Sequence, residues 1–459
     1  MNHRIERDSL GEVQVPEQAL YGAQTQRAID NFGLGQRRMP QAFIRNLARI
    51  KSAAAFANLR CEALEAHIAA AIQHAADSVA EGEWQDQFPL SVFQTGSGTS
   101  TNMNMNEVLA RLASEALGKT VHPNDHVNCS QSSNDVIPSC IHLSALQGLG
   151  GALMPALSAL TACVLERRCE LLGVAKTGRT HLMDAMPLTL GQELGAWAYQ
   201  LQEATARIEQ LLPRLRLLPI GGSAVGTGVN VPQGFAVALT ARLSETAGVE
   251  VSPCPNPFSR MAGQDTALEC SSALRGLATV LAKISNDLRW MSSGPLSGLG
   301  EITLEALQPG SSIMPGKVNP VLPEAVLMVC ADVTGNDAAI AVAAGAGNFQ
   351  LNVMLPLIAE KLDASIGGLT WACRALQDTV RGFRVEHARI EASLASNPIL
   401  VTALNSRIGY EAAARIAKRC YQEQRPVLAV ALEETDIEED ELKTLLDPLH
   451  LTGSAPQGS

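Results

Sequence analysis

The sequence predicts a mainly α fold organised around a central bundle of long helices, and three observations lead there. Apolar residues make up 46% of the 459 residues but aromatics only 4%, so the core is built from Ala, Leu, Val and Ile, which favours helix-on-helix packing over a sandwich. Between about 140 and 390 the apolar residues recur at helical spacing; Leu277, Leu281, Ile284, Leu288 and Met291 follow a 4-3-4-3 rhythm, the seam of a bundle. Similar stripes over 143–175, 187–218 and 323–345 are too long to stand alone. They need partner helices, so a homotetramer is expected.

A chain of this length predicts two or three domains. The segments read as an N-terminal helical and loop domain over 1–130, the bundle over 131–388 and a small C-terminal helical domain over 389–459. Residues 1–40, broken by Gly11, Pro16, Gly22, Gly33, Gly35 and Pro40, read as an extended, loop-rich lead-in. Residues 41–80 carry helical periodicity that ends near Gly82. Gln94–Asn106 reads as a polar loop followed by a short helix to Gly118, and Lys119–Asp135 as a second loop. Pro219–Asn230 is a Gly-rich interruption, but no strand precedes it and no P-loop Lys-Ser/Thr follows, so nucleotide binding is not expected. Beyond 390 the helices are shorter. The acidic run Glu433–Glu441 reads as a solvated face and the last residues as disordered.

A formal charge of −11 argues against nucleic acid or an anionic membrane as partner, and requires a local cationic pocket for any anionic substrate. The ten cysteines show no C-x-x-C and no zinc spacing. Cys163, Cys270 and Cys330 lie in apolar helical patterns, as small core residues in a reducing cytosol do. The N-terminal stretch has no apolar h-region and no apolar run approaches a membrane span, so neither a secretory signal nor a membrane segment is expected. No metal site and no cofactor are expected.

Four donor-rich loops stand at helix boundaries. Thr95–Asn102 opens onto a helix, where glycines admit a ligand to the backbone and hydroxyls and the helix N-terminus face an anion. The second loop joins His122-Pro123-Asn124-Asp125 to Gln131–Asp135, and the third is Gly178-Arg179-Thr180-His181 between two long helices. The fourth, Gly310–Pro320, carries four breakers, with Lys317 and Asn319 alternating so that an extended backbone points both at one ligand. Each loop alone also reads as ordinary caps and turns, and the fourth as a Gly/Pro connection with a solvated lysine.

In order along the chain, GSGTSTNMNMNE, HPNDHVNCSQSSND, GRTHLMDAMP and GSSIMPGKVNP resemble the signature segments of the fumarase/aspartase superfamily, and nearly the whole chain is similar to class II (iron-independent) fumarases. The resemblance implies a three-domain, mainly α homotetramer with a central long-helix bundle, in which three subunits build each active site. It implies fumarate and L-malate as ligands, no redox cofactor and a place in the citric acid cycle. It implies substrate-carboxylate contacts from Ser97, Gly98, Thr99, Ser132, Ser133, Asn134, Thr180, Ser312, Val318 and Asn319, with Lys317 as the cation. Ser311 matches the serine that takes the carbon-bound proton. His181 matches the histidine acting through water at the hydroxyl end, and Glu324 its paired acid. Lys119, His122, Pro123, Asn124 and Asp125 match a second, peripheral anion site.

The chemistry suits these residue types. Removing a proton beside a carboxylate leaves an enolate-like dianion, which fixed donors and a lysine stabilise. Serine is a base only if backbone N–H groups and a cation stabilise its alkoxide; otherwise Ser311 is a carboxylate ligand. Hydroxide needs a general acid to leave, a role histidine fills near neutral pH. Pro323 reads as the first residue of a helix whose N-terminus keeps Glu324 ionised. Three positions depart from the pattern: Lys119 stands where Arg is frequent, Met186 where Thr is frequent, and Val321-Leu322-Pro323 also resembles some aspartases. Aspartate ammonia-lyase is therefore an alternative, against which Ser132-Ser133 and His181 speak. A non-catalytic structural tetramer is the second alternative.

Overall fold

The computed structural model describes residues 2–33 and 37–453. The expectation of a disordered tail lies outside the described residues. A hairpin of β1 (His3–Asp8) and β2 (Gly11–Pro16) leads into α1 (Ala23–Asn31), α2 (Gln41–Arg60), α3 (Ala66–Glu81), α4 (Thr99–Leu117), α5 (Ser133–Gly148) and α6 (Met154–Glu170). A second hairpin, β3 (Ala175–Thr180) and β4 (Met183–Thr189), precedes α7 (Leu190–Leu215), α8 (Phe235–Ala247), α9 (Pro257–Ala262) and α10 (Asp265–Met291). Then come α11 (Val321–Ala344), α12 (Leu355–Gly382) and short helices from His387–Ala395 to Pro448–Leu451.

The mainly α expectation holds. All five seam residues of α10 are buried, Leu277 to Leu288 completely, as the 4-3-4-3 rhythm predicts. Asp265 in its first turn and Arg289 in its last complement the helix dipole.

The chain forms two compact units. The first comprises Met1–Pro155, Ala206–Ala278 and Ala331–Thr370. Here α2 packs on α3, α5 and α8, burying an almost continuous face from Phe43 to Asn58. The second comprises Ala156–Thr205, Thr279–Cys330 and Trp371–Ser459. Its C-terminal helices close their own core around Leu404, Ile416, Val430 and Leu442.

Several local readings need correction. The lead-in is not a loop but a hairpin and a helix. Arg4 ties it down by donating to the carbonyls of Pro16, Glu17, Ala19 and Tyr21. Gly22 gives α1 no side-chain cap; the Glu107 carboxylate, far along the chain, accepts the N–H groups of Gly22, Gln24 and Thr25 instead. Helix α4 begins at Thr99, inside the expected loop, and runs 19 residues rather than being short. Its first turns are capped from behind, Thr95 Oγ1 accepting from Ser100 N–H and Gln94 Oε1 from Thr101 N–H.

Two helical stretches, Ser133–Glu170 and Val321–Ala344, do have the length and apolarity of a membrane span, contrary to expectation. Both bury polar side chains, Asp135 and His142 in the first and Asn336 and Asp337 in the second, as core helices of a packed protein do. The acidic run is not merely solvated: Arg419 pairs with Glu433 and Glu434, and Arg425 with Glu433. Cys163, Cys270 and Cys330 are buried, and no disulfide forms among the described residues.

Candidate active site

The predicted residues fall into two groups, one in each unit. In the first unit they gather at helix N-termini. Ser132 caps α5: its Oγ accepts from Asn134 N–H at 3.2 Å, while Asp135 Oδ1 accepts from Ser132 N–H at 3.0 Å, a reciprocal capping box. Gly98 precedes α4 in the left-handed region (φ 74°), and a side chain there would press on Ile137 of α5 at 3.0 Å. Asn102 on α4 donates to Ser133 Oγ at 3.0 Å, joining the two helix starts. Ser97 and Thr99 hydroxyls are bonded to each other at 2.8 Å, and Asn134 Nδ2 donates to Ala224 O at 2.8 Å. Two helix N-termini joined by Asn102 and bearing hydroxyls present donors of the kind that can face an anion.

The Gly-rich interruption near 220 turns out to serve these helix starts from behind. Gly221 and Ser223 N–H groups both donate to Asp135 Oδ2 at 2.9 Å. The loop does bind an anion, but the anion is a carboxylate of the chain itself. Burial raises the Asp135 carboxyl to about 6 despite those N–H groups.

The second unit holds the residues expected to do chemistry. Gly310 N–H donates to Lys317 O at 2.9 Å and Asn319 Nδ2 to Gly310 O at 2.7 Å, so the 310–320 loop is closed at its neck. A side chain on Gly310 would lie 2.2 Å from Lys317 O, so only glycine fits the closure. Within the loop Ser311 Oγ accepts from Ile313 N–H at 3.2 Å and Met314 N–H at 3.1 Å. Two amide dipoles aimed at one hydroxyl oxygen are the arrangement an alkoxide needs. Ser311, Met314, Lys317 and Val318 help to line an open cavity of about 440 Å³. Ser312, Lys317 and Val318 are exposed. The expected sharing of one ligand by Lys317 and Asn319 is altered, because the Asn319 amide turns inward to close the neck.

Thr180 and His181 sit on a hairpin, not on a loop between helices. Thr180 pairs with Met183, and His181 and Leu182 form the two-residue turn at φ 55° and 60°. Such a turn strains non-glycine residues, so the hairpin needs anchoring. Gly178 lets the strands meet, since a side chain would strike Met186 O at 2.4 Å. Below it lies a buried ion network: Lys176 Nζ contacts Glu193 at 2.8 Å and Glu301 at 2.7 Å, and Arg179 contacts Glu301 at 2.7 Å. The His181 ring itself is exposed.

Helix α11 starts at Val321, not Pro323. The Glu324 N–H already bonds Pro320 O at 3.1 Å, so Pro323 is the third residue and Glu324 closes the first turn. Glu324 is exposed, and among the described residues nothing within the chain joins it to His181. His122, Pro123, Asn124 and Asp125 lie at a π-helical turn, Pro123–Val127. His122 Nδ1 accepts the N–H groups of Asn124 and Asp125, at 3.3 and 3.1 Å, so these donors are already engaged. Lys119, just past the end of α4, is exposed. No group of three His, Cys, Asp or Glu able to hold a metal occurs among the described residues.

Sequence reasoning missed Lys51, Asn128, the Asp135 cradle and Glu301. One signal was present for the first: Lys51 interrupts the apolar stripe Leu47, Ala48, Ala54, Ala55 on its buried side.

The chain is a lyase by family: the family model described as Lyase matches residues 11–335, and that described as Fumarase C C-terminus matches 400–453. A fumarate hydratase class II 2 from Pseudomonas aeruginosa is 54% identical over 98% of both chains. A fumarate hydratase class II from Mycobacterium tuberculosis is 49% identical over 93% of this chain and 90% of its own. A crystal structure of class II fumarase from Schistosoma mansoni superposes with a TM-score of 0.96 at 36% identity, covering 100% of both chains. The chain belongs to the class II fumarate hydratase family.

Proposed function

We propose that the chain catalyses the reversible hydration of fumarate to L-malate by anti elimination and addition through a carbanion. The observation that carries this reading is the pair of backbone N–H groups on Ser311 Oγ, in a loop that also presents Lys317. In the dehydration direction Ser311, as alkoxide, takes the proton from the carbon beside one carboxylate. The electron pair left behind is delocalised onto that carboxylate, where Lys317 and the hydroxyl-rim donors meet it. The pair then forms the C=C bond as the hydroxyl leaves, protonated by His181 through a water, so that water departs. Thr180, Ser97, Thr99, Ser132, Ser133 and Asn134 hold the carboxylates, with Gly98, Ser312, Val318 and Asn319 shaping the backbone around them.

The His181–Glu324 pair of this mechanism forms between subunits, since each side chain stands exposed in its own. A homotetramer with three subunits at each site is the assembly that fits. Apolar residues left at the surface of long helices, such as Tyr199, Trp290, Met328 and Val342, support it. The peripheral anion site of Lys119, His122, Pro123, Asn124 and Asp125, the three-segment division at 130 and 388, the cytoplasmic location and the place in the citric acid cycle belong to the same reading.

The test is absorbance of fumarate on addition of L-malate, then of L-aspartate. Malate is expected to give the signal and aspartate none. Signal from aspartate alone makes the protein an aspartate ammonia-lyase, and no signal from either makes it a structural tetramer.

A further inference from the structure

A lysine is buried beneath the two joined helix N-termini, and the chemistry proposed above makes no use of it. Lys51 on α2 is completely buried, and its Nζ donates to Asn128 Oδ1 and Gln131 Oε1, both at 3.0 Å. Its direct partners are neutral amides; among the described residues no carboxylate lies within ion-pair distance. Asn128 Oδ1 also accepts from Asn102 Nδ2 at 3.2 Å and Asn106 Nδ2 at 3.1 Å. Asn102 Nδ2 reaches on to Ser133 Oγ. Ser133 Oγ accepts that bond, which leaves its own O–H available as a donor.

A methionine of similar length would fill this space without desolvating a charge. A buried ammonium held by amide oxygens has one electrostatic consequence that a methionine lacks: it attracts an anion across a low-dielectric gap where water screens little. We propose that Lys51 is a positioning residue of the substrate-carboxylate face, a buried cation that aligns Asn128 and Asn102 so that Ser133 donates to a dicarboxylate. This rests on the fumarate/malate reading above.

The surroundings agree. Burial lowers the Lys51 ammonium to about 7, against the pull of Asp135 and the Cys140 thiol, which are the titratable groups that act on it. The faces presented by α4 and by the 128–131 segment are uncharged amides. An incoming dianion favours the charged lysine, so ligand affinity weakens as pH rises past about 7.

The experiment uses full-length protein, succinate as a non-reacting dicarboxylate, and calorimetric titration between pH 6.5 and 9. Lys51→Met is expected to weaken succinate binding and raise KM for malate about tenfold or more, with kcat within about threefold. It is also expected to flatten the pH dependence of binding. In a Ser133→Ala background the same change is expected to have little further effect, since the lysine acts through that hydroxyl. Asn128→Asp, which neutralises the cation in place, is expected to reproduce the loss and decides the matter if Lys51→Met fails to fold. Wild-type affinity and pH dependence in folded Lys51→Met or Asn128→Asp, or an undiminished effect with Ser133→Ala, overturns the role. Malate turnover by the same wild-type preparation shows that such a result bears on Lys51 and leaves the functional reading standing.

Discussion

The helix N-termini of the first unit and the loop and hairpin of the second are built on opposite plans. At the first, the polar side chains are hydrogen-bonded within the chain: Asp135 accepts from the N–H groups of Ser132, Gly221 and Ser223, and Asn102 donates to Ser133 Oγ. At the second, His181, Glu324 and Lys317 stand exposed, and only the backbone beneath them is fixed. A face that binds one charge in one orientation profits from fixed donors, because no reorganisation is needed when the ligand arrives. Groups that must accept and release protons cannot be saturated by their own chain. In the proposed mechanism their partners come from the ligand or from another subunit.

The largest expected effects therefore lie in the second unit. Ser311→Ala removes the proposed base while leaving both helix N-termini intact. Turnover is expected to fall by 10²–10⁴ or more, on the order of general-base and oxyanion losses combined. Malate is still expected to bind, but exchange of its carbon-bound proton with deuterated solvent is expected to vanish. His181→Asn is expected to slow dehydration by a similar factor while retaining exchange, if the carbanion forms before hydroxide leaves. Near wild-type exchange in Ser311→Ala removes serine from the base role.

Next in size is the anchoring of the hairpin. Glu301, 2% exposed, holds Lys176 and Arg179 together. Glu301→Gln leaves two cations underneutralised in the interior and is expected to destabilise by about 3–5 kcal/mol. Urea unfolding checks this. A change below about 1 kcal/mol means that water, not Glu301, compensates those charges.

The packed unit has its own point of weakness at acid pH. His142, 2% exposed on α5, sits with Nδ1 3.2 Å from Leu217 O. Burial, with the nearby Arg260, lowers its imidazole to about 4. Its folded pKa is below the ordinary 6.5, so the unfolded chain binds more protons between the two values. The neutral ring's contribution is complete above 6.5 and is lost as pH falls through 4, up to about 3 kcal/mol in all. Unfolding free energies at pH 7, 5.5 and 4 are expected to lose much of that slope in His142→Asn; an unchanged slope points to other groups.

The same contrast explains what could be read in advance. The seam of α10, the helical class and the irregular 310–320 stretch were legible, because periodicity and Gly/Pro/Ser content are local properties. Helix α1 was hidden because its cap is Glu107, and the start of α4 because Thr95 and Gln94 cap it from outside its first turn. The His181 turn was missed because it has no glycine at either central position, and the ion network that holds it comes together from 176, 179, 193 and 301. The candidate site residues were nominated by the family resemblance, whereas the contacts that hold them in place are long-range and have no local pattern.

The smallest expected effect lies just past the end of α4. Lys119 follows Gly118, the C-terminal cap of α4, and its side chain is exposed without an ion pair among the described residues. Its position beside the last carbonyls of α4 gives it a weak favourable interaction with the helix dipole, worth about 0.3–1 kcal/mol and screened by salt. It stands next to the His122–Asp125 turn, where the Asn124 and Asp125 N–H groups are already held by His122 Nδ1, so an anion there meets one mobile, monodentate lysine. Lys119→Ala is thus expected to shift stability by a few tenths of a kcal/mol and to leave kcat/KM for malate within about twofold. A hundredfold fall in kcat/KM places Lys119 in the active site.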